Sequence, residues 1–273
     1  MRRKSVAVLL ALTTALVAGV ASASGATPPP FPDSMAAIGD SITRATDVCC
    51  FYGDHPRKSW STGSASDSIV SHYEHILTNN PSMAGNGHND AKSGAKMADA
   101  ARQASVAVSQ QAEYVTILLG ANDACARSAE RMTRVQDFRN QFQDSMDTLQ
   151  AGLPAGAHIF VSSIPNIYRL WQVLHTNPVA QAVWWAAKIC QSMLSPFNSR
   201  LDRLRVLARV KAYNGVLDQV CGQYANCRFD GYAVFNYQFT AGHVSKLDYF
   251  HPNVSGQATL ASITWATSWW PDT

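Results

Sequence analysis

The sequence predicts an α/β protein with a mostly parallel sheet covered by helices on both faces. Short apolar, β-rich runs alternate with longer amphipathic stretches, the pattern of strands joined by crossover helices. The chain has 273 residues, 47% of them hydrophobic and 15% charged. That is enough to bury a sizeable core in one domain of ordinary α/β size, and it excludes a disordered chain.

The first residues have the form of an export signal. Arg2, Arg3 and Lys4 precede an uncharged apolar run over residues 6–21, and Ala21, Ser22 and Ala23 supply the small-residue pattern that signal peptidases cut after. Residues 1–23 are therefore expected to be a signal peptide cleaved near Ala23, giving a secreted protein. A membrane anchor is disfavoured because the run is short for a span and small residues follow it. Residues 24–33 form a Pro-rich lead-in, stiff and extended through "TPPPFP". Residues 34–273 are expected to be a single domain, since no repeat and no second linker interrupts them.

Within that domain a strand is expected over residues 35–38 and a helix near 66–77, with another helix starting at Met97. A strand over 114–119 precedes a helix over 132–149, and a strand over 157–164 precedes helical segments through Trp184 and Leu204. Sites in such sheets form beyond the carboxyl ends of the strands, so residues following each apolar run should converge there.

Charge narrows the partners. The formal +3 comes from 22 Lys+Arg against 19 Asp+Glu, and removal of Arg2, Arg3 and Lys4 leaves 19 against 19. The one basic cluster, Arg200, Arg203, Arg205, Arg209 and Lys211, is interleaved with Leu and Val and is expected to be a solvated helix face. Nucleic-acid binding is not expected. His72 and His75, one turn apart without an accompanying carboxylate motif, are likewise expected on a solvated helix face and not at a metal. The six cysteines, Cys49, Cys50, Cys125, Cys190, Cys221 and Cys227, form an even set in an exported chain and favour three disulfides. Cys221 can close a small loop with Cys227, and Cys125 with Cys190 is the next pairing. Cys49 and Cys50 would then be left to each other as a strained vicinal pair.

Four segments after the apolar runs carry chemistry. Gly39-Asp40-Ser41 follows the first strand, Gly94 lies in the loop before Met97, Asn122 and Asp123 follow "YVTILLGA", and "LDYFHPN" carries Asp248 and His251. A serine hydroxyl is a weak nucleophile at neutral pH, so it needs an adjacent base, and an imidazole base needs a partner that fixes its tautomer. Ser41, His251 and Asp248 suit those roles. Donors for a tetrahedral oxyanion are available from the Ser41 N–H, the Gly94 N–H and the Asn122 amide. Ser41 is expected to open a helix whose macrodipole favours an anion. Each motif alone has an ordinary explanation, Gly-Asp-Ser as a turn and Asn122 as a helix cap. Together and in order they point to acyl transfer.

In these blocks the chain resembles the GDSL, or SGNH, hydrolases, named for a Ser, a Gly, an Asn and a His in separate blocks. "IGDSIT" matches the first, with Ile42 in place of Leu; Gly94 matches the second, Asn122 in "GAND" the third and "DYFHPN" the last. "SIPNIYRLW" and the end region from Phe250 are also similar to secreted bacterial lipases and the phospholipase-B-like branch. The resemblance implies a flavodoxin-like three-layer α/β/α sandwich, no cofactor or metal, and ester hydrolysis through an acyl-enzyme on Ser41. Lipids or phospholipids are the leading substrates. A carbohydrate acetyl esterase is the alternative, and a non-catalytic binding module is disfavoured by the retained set. No G-x-S-x-G elbow is present, which argues against the α/β-hydrolase fold. Trp184 and Trp185 are expected in core or rim packing, with a role beside Trp171 in lining an acyl groove as a second possibility. No stable membrane anchor and a monomer are expected.

Overall fold

The computed structural model of the protein describes residues 28–65 and 68–271. The expected signal peptide, the start of the lead-in, Ser66 and Asp67 lie outside the described residues. Five strands are β1 (Met35–Gly39), β2 (Gly87–Asn89), β3 (Tyr114–Leu118), β4 (His158–Val161) and β5 (Cys227–Phe229). The α-helices are α1 (His72–Asn79), α2 (Ala100–Ser109), α3 (Ala121–Ala124), α4 (Val135–Gly152), α5 (Ile167–Leu174), α6 (Pro178–Ala186), α7 (Gln191–Leu194), α8 (Arg200–Cys221), α9 (Ala233–Asn236) and α10 (Val254–Ala266).

Every strand pair is parallel, in the order β2-β1-β3-β4-β5. The three central strands are buried on both faces, and successive side chains go to opposite layers. Ala36, Ile38, Val115 and Ile117 share one core with Ala104, Phe138, Phe142 and Val210, from α2, α4 and α8. Met35, Tyr114, Leu118 and Phe160 share the other with Ile76, Leu260 and Trp265, from α1 and α10. The result is the expected three-layer α/β/α sandwich. Strand order reverses between β1 and β3, and a doubly wound sheet opens its crevice at such a switch point.

The lead-in is fastened to the body of the molecule. Phe31 stacks on Trp270 with ring centroids 5.4 Å apart, and the Trp270 indole N–H donates to the Pro29 carbonyl at 2.7 Å.

Three expectations are corrected by the packing. His72 is not solvated: it is wholly buried, with one ring nitrogen 2.9 Å from the Tyr114 hydroxyl and the other 2.8 Å from that of Thr264. Only His75 keeps partial exposure, stacked on Trp265. Arg203 is not on a solvated face either. Its guanidinium donates to the carbonyls of Met193 and Ser195 at 3.1 and 2.8 Å and lies 4.6 Å over the Trp171 ring, so it ties α8 to α7 and the residue that follows it. Of the expected disulfides, Cys125–Cys190 and Cys221–Cys227 are formed. The third is not: the Cys50 thiol donates to Cys49 across 2.6 Å, beyond the length of about 2.05 Å for a bonded pair.

Burial pushes the His72 pKa down from 6.5 to about 3, with the neighbouring His75 a smaller contribution. The unfolded chain therefore binds a proton that the folded chain refuses, and stability is lost as pH falls from 6.5 towards 3. Urea denaturation of wild type and His72→Asn across this range should differ by a slope of about one proton. Parallel pH profiles would contradict the burial of a neutral imidazole.

Candidate active site

β1 ends at Gly39 and the chain turns sharply. The Arg44 N–H donates to the Asp40 carbonyl and the Thr46 N–H to that of Ser41, both at 3.0 Å. The expected helix does not follow. Ala45 and Asp47 adopt φ of +50° and +54°, and the Asp47 N–H donates to Gly53 at 2.8 Å instead of extending a helical ladder. A negative charge at Ser41 would meet the amides of one turn and not a helix macrodipole.

The C-terminal block is a closed loop. Val244 and Pro252 form an antiparallel bridge, and the Ser245 N–H donates to the His251 carbonyl at 2.8 Å. Asn253 then caps α10 by accepting from the Gly256 N–H. Within the loop, Asp248 Oδ1 accepts from the N–H groups of Phe250 and His251 at 2.9 and 3.1 Å. Asp248 Oδ2 lies 2.5 Å from His251 Nδ1, and His251 Nε2 lies 2.7 Å from Ser41 Oγ. Burial alone would raise the Asp248 pKa, but the hydrogen bond and charge of His251 and the two backbone donors hold it below the usual carboxylate range. An ionised Asp248 fixes the Nδ1–H tautomer and leaves Nε2 to accept the serine proton. Ser41 is 8% exposed, so the hydroxyl is reachable yet mostly shielded from water.

Gly94 stands on a loop tied to β1, and Asn122 on the short helix α3 that follows β3. Gly94 takes φ +83°, a conformation that favours glycine. The Lys92 N–H in its loop donates to the Gly39 carbonyl at 3.2 Å. Asn122 follows β3 across the switch point, and its side-chain amide donates to the Ala95 carbonyl at 3.0 Å, which orients it towards the Gly94 loop. Gly120, two residues earlier, takes φ +124°, and an added Cβ would lie 2.6 Å from Ile164. Larger residues are excluded there.

A narrow apolar pocket adjoins these groups. Ile42, next to Ser41, and His251 itself form part of its wall, and Ile167, Leu170, Val173 and Phe250 supply much of the rest. The tryptophans are elsewhere. Trp171 and Trp184 line a separate cleft with Arg203, and Trp185 is on the surface at 44% exposure.

With this arrangement established, comparison with known proteins is informative. A model of the GDSL-like lipase/acylhydrolase family matches residues 35–263. The chain belongs to that family. Among solved structures, an acetyl xylan esterase aligns at 14% identity and a TM-score of 0.52, over 85% of this chain and 98% of its own. A structure described as a GDSL-like lipase from Parabacteroides merdae aligns at 15% identity and 0.51, over 88% and 98%. At such identities the likeness shows the fold. No curated protein matches the chain.

In this GDSL-family chain, several residues that sequence reading missed hold the site in place. The Gln103 side chain on α2 accepts from the Gly39 N–H at 2.8 Å and donates to the Gly39 carbonyl at 3.0 Å. Gln257 on α10 donates to the Ile42 carbonyl at 2.8 Å and accepts from the Trp60 N–H at 2.9 Å. These buried amides clamp the turn carrying Ser41 from both layers. Asp40 is wholly buried, and burial pushes its carboxyl up to about 7. It therefore stays largely protonated at mildly acidic pH, and no buried anion then sits beside Ser41. Asp47 lies beside the relay, with ligand-type atoms of Asp47, Asp248 and His251 within 4.8 Å of one another. Partial burial and the charge of Asp248 push the Asp47 carboxyl up, against a hydrogen bond from Gly53. Among the described residues this is the one trio placed to hold a cation, but both imidazole nitrogens already face Asp248 and Ser41. A cation there would break the relay.

Proposed function

We propose that the protein is a secreted serine ester hydrolase that cleaves esters of apolar acyl chains, lipids or phospholipids foremost. The observation that carries this is the relay of Ser41, His251 and Asp248 sharing a wall with an apolar pocket. His251 Nε2 accepts the Ser41 proton as Oγ attacks the ester carbonyl carbon. The Ser41 and Gly94 N–H groups and the Asn122 amide donate to the oxygen as it becomes negative. Collapse of this intermediate expels the alcohol, which takes the proton from His251, and leaves the acyl group on Ser41. Water, deprotonated by His251, then attacks the acyl-enzyme and frees the acid. The acyl chain occupies the pocket beside Ile42. Acetyl would leave that pocket unfilled, so an acetyl esterase is the weaker reading. Secretion is supported by the N-terminal signal pattern and two disulfides. Among the described residues no helix is long and apolar enough to cross a membrane.

A series of nitrophenyl esters tests the acyl preference. Each methylene buried is worth about 0.8 kcal/mol, so kcat/KM should rise about fourfold per added methylene until the pocket is full. Leu170→Trp should narrow the pocket and depress the long esters while sparing acetate. Release of acetate from acetylated xylan without release of fatty acid from phospholipid would replace this reading with the carbohydrate one.

The same relay sets a pH dependence. Only the neutral imidazole accepts the Ser41 proton, so kcat/KM on a soluble ester should fall in acid, where a protonated base cannot act. A rate that does not fall in acid while the protein stays folded would exclude His251 as the base.

A further inference from the structure

The segment that walls the pocket also carries an inverted surface. From Thr148 to Leu201 the sequence has no Asp or Glu, while Arg169, Lys188 and Arg200 are present. α6 lies in this stretch, and its inward side is made by Ala180 and Trp184, both buried. Its outward side carries Val179 at 54% exposure, Trp185 at 44%, and the exposed Ala182 and Ala186. A surface helix ordinarily turns polar residues to water; here Gln181 is the polar member of the exposed side. Phe197, 80% exposed, packs edge-on against Trp185 with centroids 5.2 Å apart. Lys188 Nζ lies 4.4 Å from the Trp185 ring centre. Outward aliphatic and aromatic groups with flanking basic residues form the composition that seats a helix at a lipid headgroup boundary.

We propose that the outward face of α6, with Phe197, docks on an anionic lipid surface. Charge complementarity favours this occupant over a second copy of the chain. Lys188 and Arg200 are exposed, and the whole segment lacks a carboxylate that would repel anionic headgroups. The face is also coupled to the site. The Trp184 indole N–H, on the inward side of α6, donates to the Tyr249 carbonyl at 2.9 Å, between Asp248 and His251, and α5 in the same segment walls the pocket through Ile167, Leu170 and Val173. Docking would bring the pocket-bearing segment to the place where acyl chains are held. The inference extends the lipid-ester reading and rests on it for its purpose, though not for its measurement.

The test separates binding from chemistry. Full-length Ser41→Ala protein is floated with vesicles of phosphatidylcholine alone or mixed with phosphatidylglycerol. Binding should require the anionic lipid. Adding Trp185→Ala and Phe197→Ala should weaken it at least tenfold, and adding Lys188→Gln about fivefold. With Ser41 intact, the Trp185→Ala and Phe197→Ala pair should retain hydrolysis of a soluble short ester, which shows that it folds, and lose rate on vesicles. Vesicle binding indifferent to these substitutions would overturn the proposal even if phospholipid is hydrolysed. So would absence of vesicle binding together with dimerisation dependent on Trp185 and Phe197. Anionic vesicle binding that needs both residues, in a protein releasing no fatty acid, would uphold docking and overturn the lipid-ester reading.

Discussion

Ser41→Ala and His251→Ala should each lower kcat on a soluble ester by on the order of 10⁴- to 10⁶-fold, and the double variant should be no worse than either. The geometry explains the expected saturation. Ser41 Oγ and His251 Nε2 share one hydrogen bond of 2.7 Å, and a nucleophile without its base, or a base without its nucleophile, leaves the same non-nucleophilic site. What survives is catalysis by binding and oxyanion donors alone. Stopped assays at saturating substrate, with folding checked by urea midpoint, would measure it. Additive losses would mean that the two residues act in separate steps, and near-normal activity of Ser41→Ala would remove the mechanism entirely.

Asn122→Ala should have the next largest effect, a fall of roughly 10²- to 10³-fold in kcat with KM little changed. The Asn122 amide donates to Ala95 and faces the Gly94 loop, so nucleophile and base remain assembled in the variant. The lost donor matters most when negative charge develops on the substrate oxygen, which places the loss in turnover and not in ground-state affinity. An effect confined to KM would make Asn122 a substrate-binding residue.

The central strands were legible because β1, β3 and β4 are apolar runs buried on both faces. β2 and β5 were not. Each has three residues, "GHN" and "CRF", too short to show a period and too polar to stand out from loop. The blocks around Ser41, Gly94, Asn122 and His251 could be read because each packs its chemistry into a few consecutive residues. Gln103, Gln257 and Asp47 could not, since their partners are distant in sequence or join them only through a turn. His72 and Arg203 show the converse error. Both residue types usually seek water, and both are buried because hydroxyls or backbone carbonyls from other elements satisfy them. Cys125–Cys190 was one of fifteen pairings that six cysteines allow and that sequence alone does not choose among, and the state of Cys49 and Cys50 depends on a local turn with φ +68° at Cys50, which no spacing rule encodes.

The hydrogen bond between Ser41 and His251 joins residues 210 positions apart, and this has a consequence for synthesis. The nucleophile is made 210 residues before its base, so no nascent chain can complete the relay until residue 251 has emerged and β1 and the loop before α10 have met. Translation order itself acts as a safety interval: a growing polypeptide, or one terminated before His251, lacks the base that activates Ser41.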